Sequence, residues 1–239
     1  MLDEFCEYLE KQIGEPYLWS GQHTALHRSD YKRIIRAAEA NTGGYPNGES
    51  YADAVIKYCT EKFADPAIKV LYAYDCSGLG CYWLYNLKHL IPSDMTAQRM
   101  TSECIITNGS VNRGYWVFRF NSAGTKITHI GYMVDDTHLI EAKGRRYGVK
   151  KTPYRRAEWD LSGIPKCFIS EIAPRVIVKG NNVNIRDKDN KSGKVLKIAH
   201  KGETYSCVGV ALSGWYEIFI PDLNRIGYIS NRPDLTELK

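Results

Sequence analysis

The side chain best placed for chemistry is a cysteine in the run Tyr74-Asp75-Cys76-Ser77-Gly78. Leu79, Trp83, Leu87 and Leu90 follow at helical spacing, which predicts a helix over residues 77–90 with Cys76 at its amino end. A helix start carries unpaired N–H groups and partial positive charge. Both favour thiolate over thiol, and the N–H groups can hold an oxyanion during acyl transfer. Asp75 stands where an N-cap residue would. A thiol nucleophile needs a proton acceptor, and the acceptor needs a group that orients it. Of the six histidines, His129 has the best setting, in the strand-like run 127–134 beside Gly131, where a backbone or substrate could approach closely. Glu141 lies twelve residues on, in the next strand-like run. An odd number of loop residues puts His129 and Glu141 on one face, and an even number puts them on opposite faces. Taken singly, a cysteine at a helix start is usually just buried and a histidine in a strand usually structural. Cys81, Cys104, His23, His27 and His138 lack a comparable setting and read as structural or surface residues.

Several elements must position these groups. Leu2, Phe5, Cys6, Leu9 and Ile13 form one stripe of a helix over residues 2–13. Residues 14–21 read as loop. Residues 31–40 have helical composition and end before Asn41-Thr42-Gly43-Gly44. A second helix starts at Ser50, where Ser50 and Asp53 make a weak capping box. From about residue 115 the pattern turns to short strands at 115–120, 127–134 and 138–142, with a turn at Asp135-Asp136-Thr137. Helices followed by an antiparallel sheet make an α+β layout. A linker is expected at 170–174. Beyond it, short strand-like runs punctuated by glycine suggest a small barrel.

The 239 residues allow one large or two smaller domains, and 44% hydrophobic with 25% charged residues argues against disorder. No apolar run approaches the roughly 18 residues of a membrane span. The acidic start lacks the basic-then-apolar pattern of a secretory signal. The seven cysteines show no CxxC pair or zinc spacing, so no metal site is indicated, and they read as reduced thiols. Net charge is +5, and residues 175–239 carry 11 Lys/Arg against 7 Asp/Glu, so the tail is the basic part. Residues 143–156 hold seven cations and no acid, which reads first as a solvated surface run and second as a contact for a polyanion.

Asp75-Cys76-Ser77-Gly78, His129-Ile130-Gly131 and Leu139-Ile140-Glu141-Ala142 resemble the ordered motifs of the NlpC-type cysteine peptidases, papain-like cell-wall hydrolases. Gly14-Glu15-Pro16-Tyr17-Leu18-Trp19-Ser20-Gly21 resembles their upstream motif. Together the four cover roughly residues 10–150. The segment around 24–64 looks like a helical insertion of phage-associated members. The resemblance implies papain-like helices packed on an antiparallel sheet over 1–170. In it Cys76 is nucleophile, His129 general base and Glu141 the orienting group, with Tyr17 near the oxyanion. Asp75 and Ser77 look like substrate contacts, and capping is an equal alternative for Asp75. Three positions depart from the pattern. Glu141 stands where His is commoner, Tyr115 follows Gly114 where Asp is usual, and Ser20 stands where Gly is common. Residues 176–238 resemble a bacterial SH3-like barrel through Val183-Asn184-Ile185-Arg186, Gly193-Lys194-Val195, Gly202-Glu203, Gly214-Trp215-Tyr216-Glu217-Ile218 and Gly227-Tyr228-Ile229-Ser230. The domain at 175–239 is therefore expected to bind cell wall, and Trp215 to lie near its core.

The resemblance thus implies a peptidoglycan hydrolase that cuts the bond between D-γ-glutamyl and a diamino acid in stem peptides, without metal or organic cofactor. With no leader and a wall-binding tail, the chain looks like a phage endolysin, made in the cytoplasm and acting at the wall after release. Its expected partners are peptidoglycan, its stem peptides, and an anionic wall polymer at the barrel. Nucleic acid is not expected, because the interleaved aromatic or glycine motifs of an RNA module are missing. The alternatives are an N-acetylmuramoyl-L-alanine amidase on the same fold and an inactive wall-adhesion protein.

Overall fold

A computed structural model describes residues 1–107 and 111–239. The chain divides into two compact units, Met1–Phe168 and Ile169–Lys239.

The first unit opens with helix α1 (Leu2–Lys11), whose buried stripe is Leu2, Phe5, Cys6 and Leu9. The helix stops short of Ile13, which is exposed. Strand β1 (Gln22–His27) pairs antiparallel with β2 (Val70–Tyr74), and neither was foreseen as a strand. Between them lie α2 (Tyr31–Glu39) and α3 (Tyr51–Lys62). The Ser50 hydroxyl oxygen accepts the Asp53 N–H at 3.0 Å, so α3 starts where the capping pattern predicts. Both helices bury one face with Leu26, Leu71 and Ala73 of the hairpin, through Ile35, Val55 and Cys59.

Directly after β2 comes α4 (Gly78–Cys81), continued by a π-helical turn at Tyr82–Leu87. The helix expected to reach residue 90 ends at 87, because the Lys88 N–H bonds the Trp83 carbonyl five residues back. The wider turn shifts the following side chains around the axis. Trp83 and Leu84 are buried, and Leu87 faces solvent. After α5 (Ala97–Met100) come β3 (Cys104–Thr107), β4 (Trp116–Phe120), β5 (Ile127–Met133), β6 (His138–Gly144), β7 (Gly148–Pro153) and β8 (Leu161–Pro165). They form one antiparallel sheet in the order β3-β8-β4-β5-β6-β7. Phe5 of α1 joins helices to sheet, with its ring 5.2 Å from Trp83 and 5.6 Å, edge-on, from Tyr132.

The basic stretch 143–156 proves to be the end of β6, a turn, and β7. Lys143, Arg145, Arg146, Lys151 and Arg155 each lie within ion-pair distance of a carboxylate, so most of the positive charge of this stretch is locally paired.

The second unit begins with one helical turn, α6 (Ile169–Ile172), where a linker was expected. Seven strands follow: β9 (Arg175–Val178), β10 (Val183–Arg186), β11 (Val195–Ala199), β12 (Thr204–Val210), β13 (Tyr216–Ile220), β14 (Arg225–Ile229) and β15 (Thr236–Leu238). Their order is β11-β10-β14-β13-β12-β9-β15, a sheet with two ends, and a closed barrel is not shown. The core is aliphatic, built from residues such as Val176, Ile185, Ile218, Ile220 and Ile229. Trp215 is half-buried outside it, since its neighbours in β13 supply the inward side chains.

Candidate functional site

Cys76 sits between the end of β2 and the start of α4. Asp75 fixes that junction. Its carboxylate accepts the Gly78 N–H at 2.6 Å and the Ser77 hydroxyl at 3.1 Å, and its own N–H bonds the Gly21 carbonyl at 2.8 Å. Asp75 is thus an N-cap, and the Ser77 hydroxyl is turned onto it. From the sheet side, the Tyr132 hydroxyl donates to the carbonyls of Cys76 (3.2 Å) and Ser77 (3.3 Å).

The sulfur lies along an open edge of β5. Strand β6 pairs with β5 only at Tyr132 and Met133. Before that point the Cys76 thiol donates to the Thr128 carbonyl at 3.6 Å, and the Ile130 N–H points at the sulfur. Cys76 therefore contacts the backbone on both sides of His129. Burial is the strongest influence on the thiol and the Asp75 charge the next. The N–H groups of Ile130, Ser77 and Cys76 oppose them without prevailing, and the thiol is pushed up to about 12. The expectation of a depressed value at a helix start is not met, because desolvation outweighs the local N–H groups. The resting sulfur is a neutral thiol.

The loop question between His129 and Glu141 is settled by register. Met133 pairs with Leu139, leaving five residues between them, and Tyr132 pairs with Ile140. Continued, this register sets Glu141 diagonal to His129 on the same face. The His129 Nε2 to Glu141 Oε2 distance is 2.6 Å, with side-chain exposures of 16% and 4%. The other Glu141 oxygen accepts the Thr152 hydroxyl at 3.0 Å and lies 3.6 Å from Lys143 Nζ. Burial by itself would raise the Glu141 carboxyl. The hydrogen bond and charge of His129, with Thr152 and Lys143, outweigh it and hold the group below its usual range. Glu141 is thus anionic at neutral pH. With Nε2 committed, Nδ1 remains for proton exchange.

Trp159 was not singled out from sequence. Its buried indole stacks on His129 at 5.7 Å between ring centres, and the Arg119 guanidinium carbon lies 4.6 Å from the centre of the Trp159 ring. Gly131 makes room for it: a Cβ there would come within 2.9 Å of the indole and 2.6 Å of Leu139. The close approach that Gly131 permits is made by protein rather than substrate.

Tyr17 is placed by backbone bonds to the end of β2, where the Tyr74 N–H reaches the Pro16 carbonyl and the Leu18 N–H the Tyr74 carbonyl. Burial raises its phenol most, followed by the Cys76 and Asp75 groups, which places Tyr17 within electrostatic reach of the sulfur. Behind it, the Arg145 guanidinium lies 5.2 Å from the Tyr17 ring and 4.1 Å from Tyr51. Arg145 also reaches Glu39 at 2.8 Å, and the Glu39 side chain is fully buried. Glu39 further accepts the Trp19 N–H at 3.0 Å and the Thr42 hydroxyl at 2.6 Å. One carboxylate thus ties α2 to the upstream loop and to the β6–β7 turn.

Of the six residues singled out from sequence, Asp75 and Ser77 flank Cys76 in the chain, Tyr17 lies within electrostatic reach of its sulfur, and the sulfur contacts the backbone on either side of His129. Glu141 joins them through His129. Tyr132 and Trp159 were missed, since strand alternation gave Tyr132 only a core reading and nothing local marks Trp159, while Arg145 was seen only as one cation of the basic stretch 143–156. Among the described residues no group of three His, Cys, Asp or Glu is placed to hold a metal ion, and no helix is long and apolar enough to cross a membrane. Cys81 and Cys104 are buried, and His23 is stacked between Tyr72 and Tyr82.

The family model described as NlpC/P60 family matches residues 14–162. No curated protein matches the chain. Among solved structures, the NlpC/p60 domain of the peptidoglycan hydrolase SagA is 15% identical. That alignment covers 68% of this chain and 97% of that one, with a TM-score of 0.40. The P60 domain of antigen MAP1204 from M. avium subspecies paratuberculosis is 18% identical over 70% and 95% of the two chains, with a TM-score of 0.41. Ly7917 is 17% identical over 96% and 92%, with a TM-score of 0.30.

Proposed function

The chain belongs to the NlpC/P60 family of cysteine peptidases acting on peptidoglycan, and on that premise we propose that Cys76, His129 and Glu141 are its catalytic residues. The observation that carries this reading is the 2.6 Å contact of His129 with a buried, anionic Glu141, on the strand whose backbone, at Thr128 next to His129, accepts the Cys76 thiol. The Cys76 proton passes to His129 Nδ1 as the sulfur attacks the carbonyl carbon of an amide. Glu141 stabilises the imidazolium so formed. N–H groups at the start of α4, with Tyr17 beside them, hold the oxyanion. His129 then gives its proton to the leaving amine, and the C–N bond breaks to leave a thioester. Water, deprotonated by His129, hydrolyses the thioester and frees the sulfur.

The bond we assign is that between D-γ-glutamyl and a diamino acid of the stem peptide, and the biological role is that of a phage endolysin. What supports this is the set of motifs around Cys76, His129 and Glu141, together with the helices between β1 and β2. The second unit is assigned as an SH3-like wall-binding domain. Its support is the all-β core and an excess of cations over acids, which suits an anionic wall polymer.

The test is digestion of purified peptidoglycan with mass analysis of the fragments. Wild type releases new ends at the glutamyl–diamino acid bond, and Cys76→Ala releases none while keeping the wild-type melting temperature. Lysis by Cys76→Ala at the wild-type rate removes the nucleophile from this account. New ends at the muramoyl–L-alanine bond instead reassign the enzyme as an amidase.

A further inference from the structure

Next to Tyr17 lies a cavity of about 430 Å³ that the catalytic steps do not use. Trp19, Tyr51 and Arg145 line it, with the methyl groups of Ala37 and Ala38 and the side chain of Asn41. It adjoins the catalytic residues through Arg145, which lies over the Tyr17 ring. Three separate parts of the chain build it: the upstream loop, the two helices between β1 and β2, and the β6–β7 turn.

The electrical character of the cavity decides what fits. Arg145 has no charge to spare, because Glu39 holds it at 2.8 Å from a fully buried position. A carboxylate or phosphate entering here would gain little from a cation already neutralised. What remains is the half-exposed face of Trp19, the ring of Tyr51, two methyl groups, the neutral amide of Asn41, and Thr42, whose hydroxyl already donates to Glu39. Flat apolar faces rimmed by uncharged hydrogen-bonding groups suit a pyranose ring. Its C–H face packs on the indole and its hydroxyl or acetamido groups bond at the edge.

We propose that this cavity is a subsite for an N-acetylated amino sugar of the glycan strand that carries the stem peptide. The assignment rests on the hydrolase reading above. In that substrate two residues separate the sugar's lactyl group from the glutamyl–diamino acid bond. Extended, an α-linked residue spans about 3.5 Å and the γ-linked glutamyl residue, with two further carbons in its chain, spans more, so the two reach beyond about 7 Å, and the cavity adjoins Tyr17 through Arg145. The helices between β1 and β2 thereby become part of substrate selection: α2 supplies the two methyl groups, and α3 supplies Tyr51.

The experiment separates this subsite from catalysis by measuring binding in Cys76→Ala protein. Calorimetry compares the stem tetrapeptide with and without its disaccharide. Trp19→Ala, Trp19→Phe and Asn41→Ala are then added in turn. Trp19 is half exposed, so its truncation leaves the fold intact. The expected result is that Trp19→Ala lowers the affinity ratio of sugar-bearing to sugar-free peptide by about tenfold, with most of it restored in Trp19→Phe. A change in that ratio of less than about threefold, or no detectable binding of the sugar-bearing peptide, overturns the proposal. Failure of the hydrolase reading shows differently, as wild-type protein that cleaves neither peptide.

Discussion

Replacing Glu141 by Gln removes one charge and little else. The amide oxygen still accepts the His129 N–H, so the imidazole keeps its orientation. What disappears is the attraction between a carboxylate and the imidazolium formed when Cys76 gives up its proton. With Oε2 2.6 Å from Nε2 and the carboxylate 4% exposed, the pair is shielded from water. Taking the charge centres as about 4 Å apart and an effective dielectric constant of about 20, their attraction is about 4 kcal/mol. At ~1.4 kcal/mol per decade, kcat/KM should fall about a thousandfold. The loss is this large because the thiol rests neutral, pushed up to about 12, so the ion pair exists only as attack begins. The assay is turnover of a soluble stem peptide, with a thermal melt as the control for folding. Glu141→Gln retaining more than a tenth of wild-type kcat/KM refutes the charge-stabilising role. A stability consequence has a definite sign. The folded Glu141 carboxyl is depressed, so the stability it contributes is complete above the unfolded value of about 4.3 and is lost as pH falls through the folded value. Urea unfolding should therefore show wild type losing its advantage over Glu141→Gln as pH is lowered below that range.

Two further substitutions probe the scaffold. Glu39→Ala leaves the largely shielded Arg145, 14% exposed, without its carboxylate and strips acceptors from Trp19 and Thr42, which should cost about 3 kcal/mol; a loss under about 1 kcal/mol in urea unfolding would mean that solvent already screens the pair. Gly80→Ala places a methyl group 2.5 Å from the fully buried Tyr132 phenol, the group that holds the Cys76 carbonyl. It should cost about 1–3 kcal/mol and lower kcat more than it raises KM, and unchanged stability and activity would show that the ring yields freely.

The site was legible from residue type and spacing where its parts are local. Cys76 after Asp75, with apolar residues at helical spacing behind it, marks a helix start, and the cap at Ser50 does the same for α3. Both are short-range hydrogen-bonding patterns within one turn of chain. The strand-like runs at 115–120, 127–134 and 138–142 were equally visible, since alternation depends only on neighbours. Strands β1 and β2 escaped notice because β1 carries a bulge at its start and the two pair across the pair of helices that separates them in sequence. The π-turn after Cys81 was invisible, because it widens a helix whose apolar spacing looks regular.

What tertiary structure decided was everything that depends on register and on burial. The composition of the loop between β5 and β6 could not say whether Glu141 faces His129; the pairing of Met133 with Leu139 did. The pKa of Cys76 could not be read from its place at a helix start, because desolvation is a sum over neighbours from the whole fold. Of the seven cations between 143 and 156, which read first as a solvated surface run, five lie within ion-pair distance of carboxylates, some as distant in sequence as Glu39 and Glu49. Local hydrogen bonding and periodicity belong to a stretch of chain and survive in its sequence. Charge pairing and desolvation are set by which groups fill the space around a side chain, and only the folded molecule determines that.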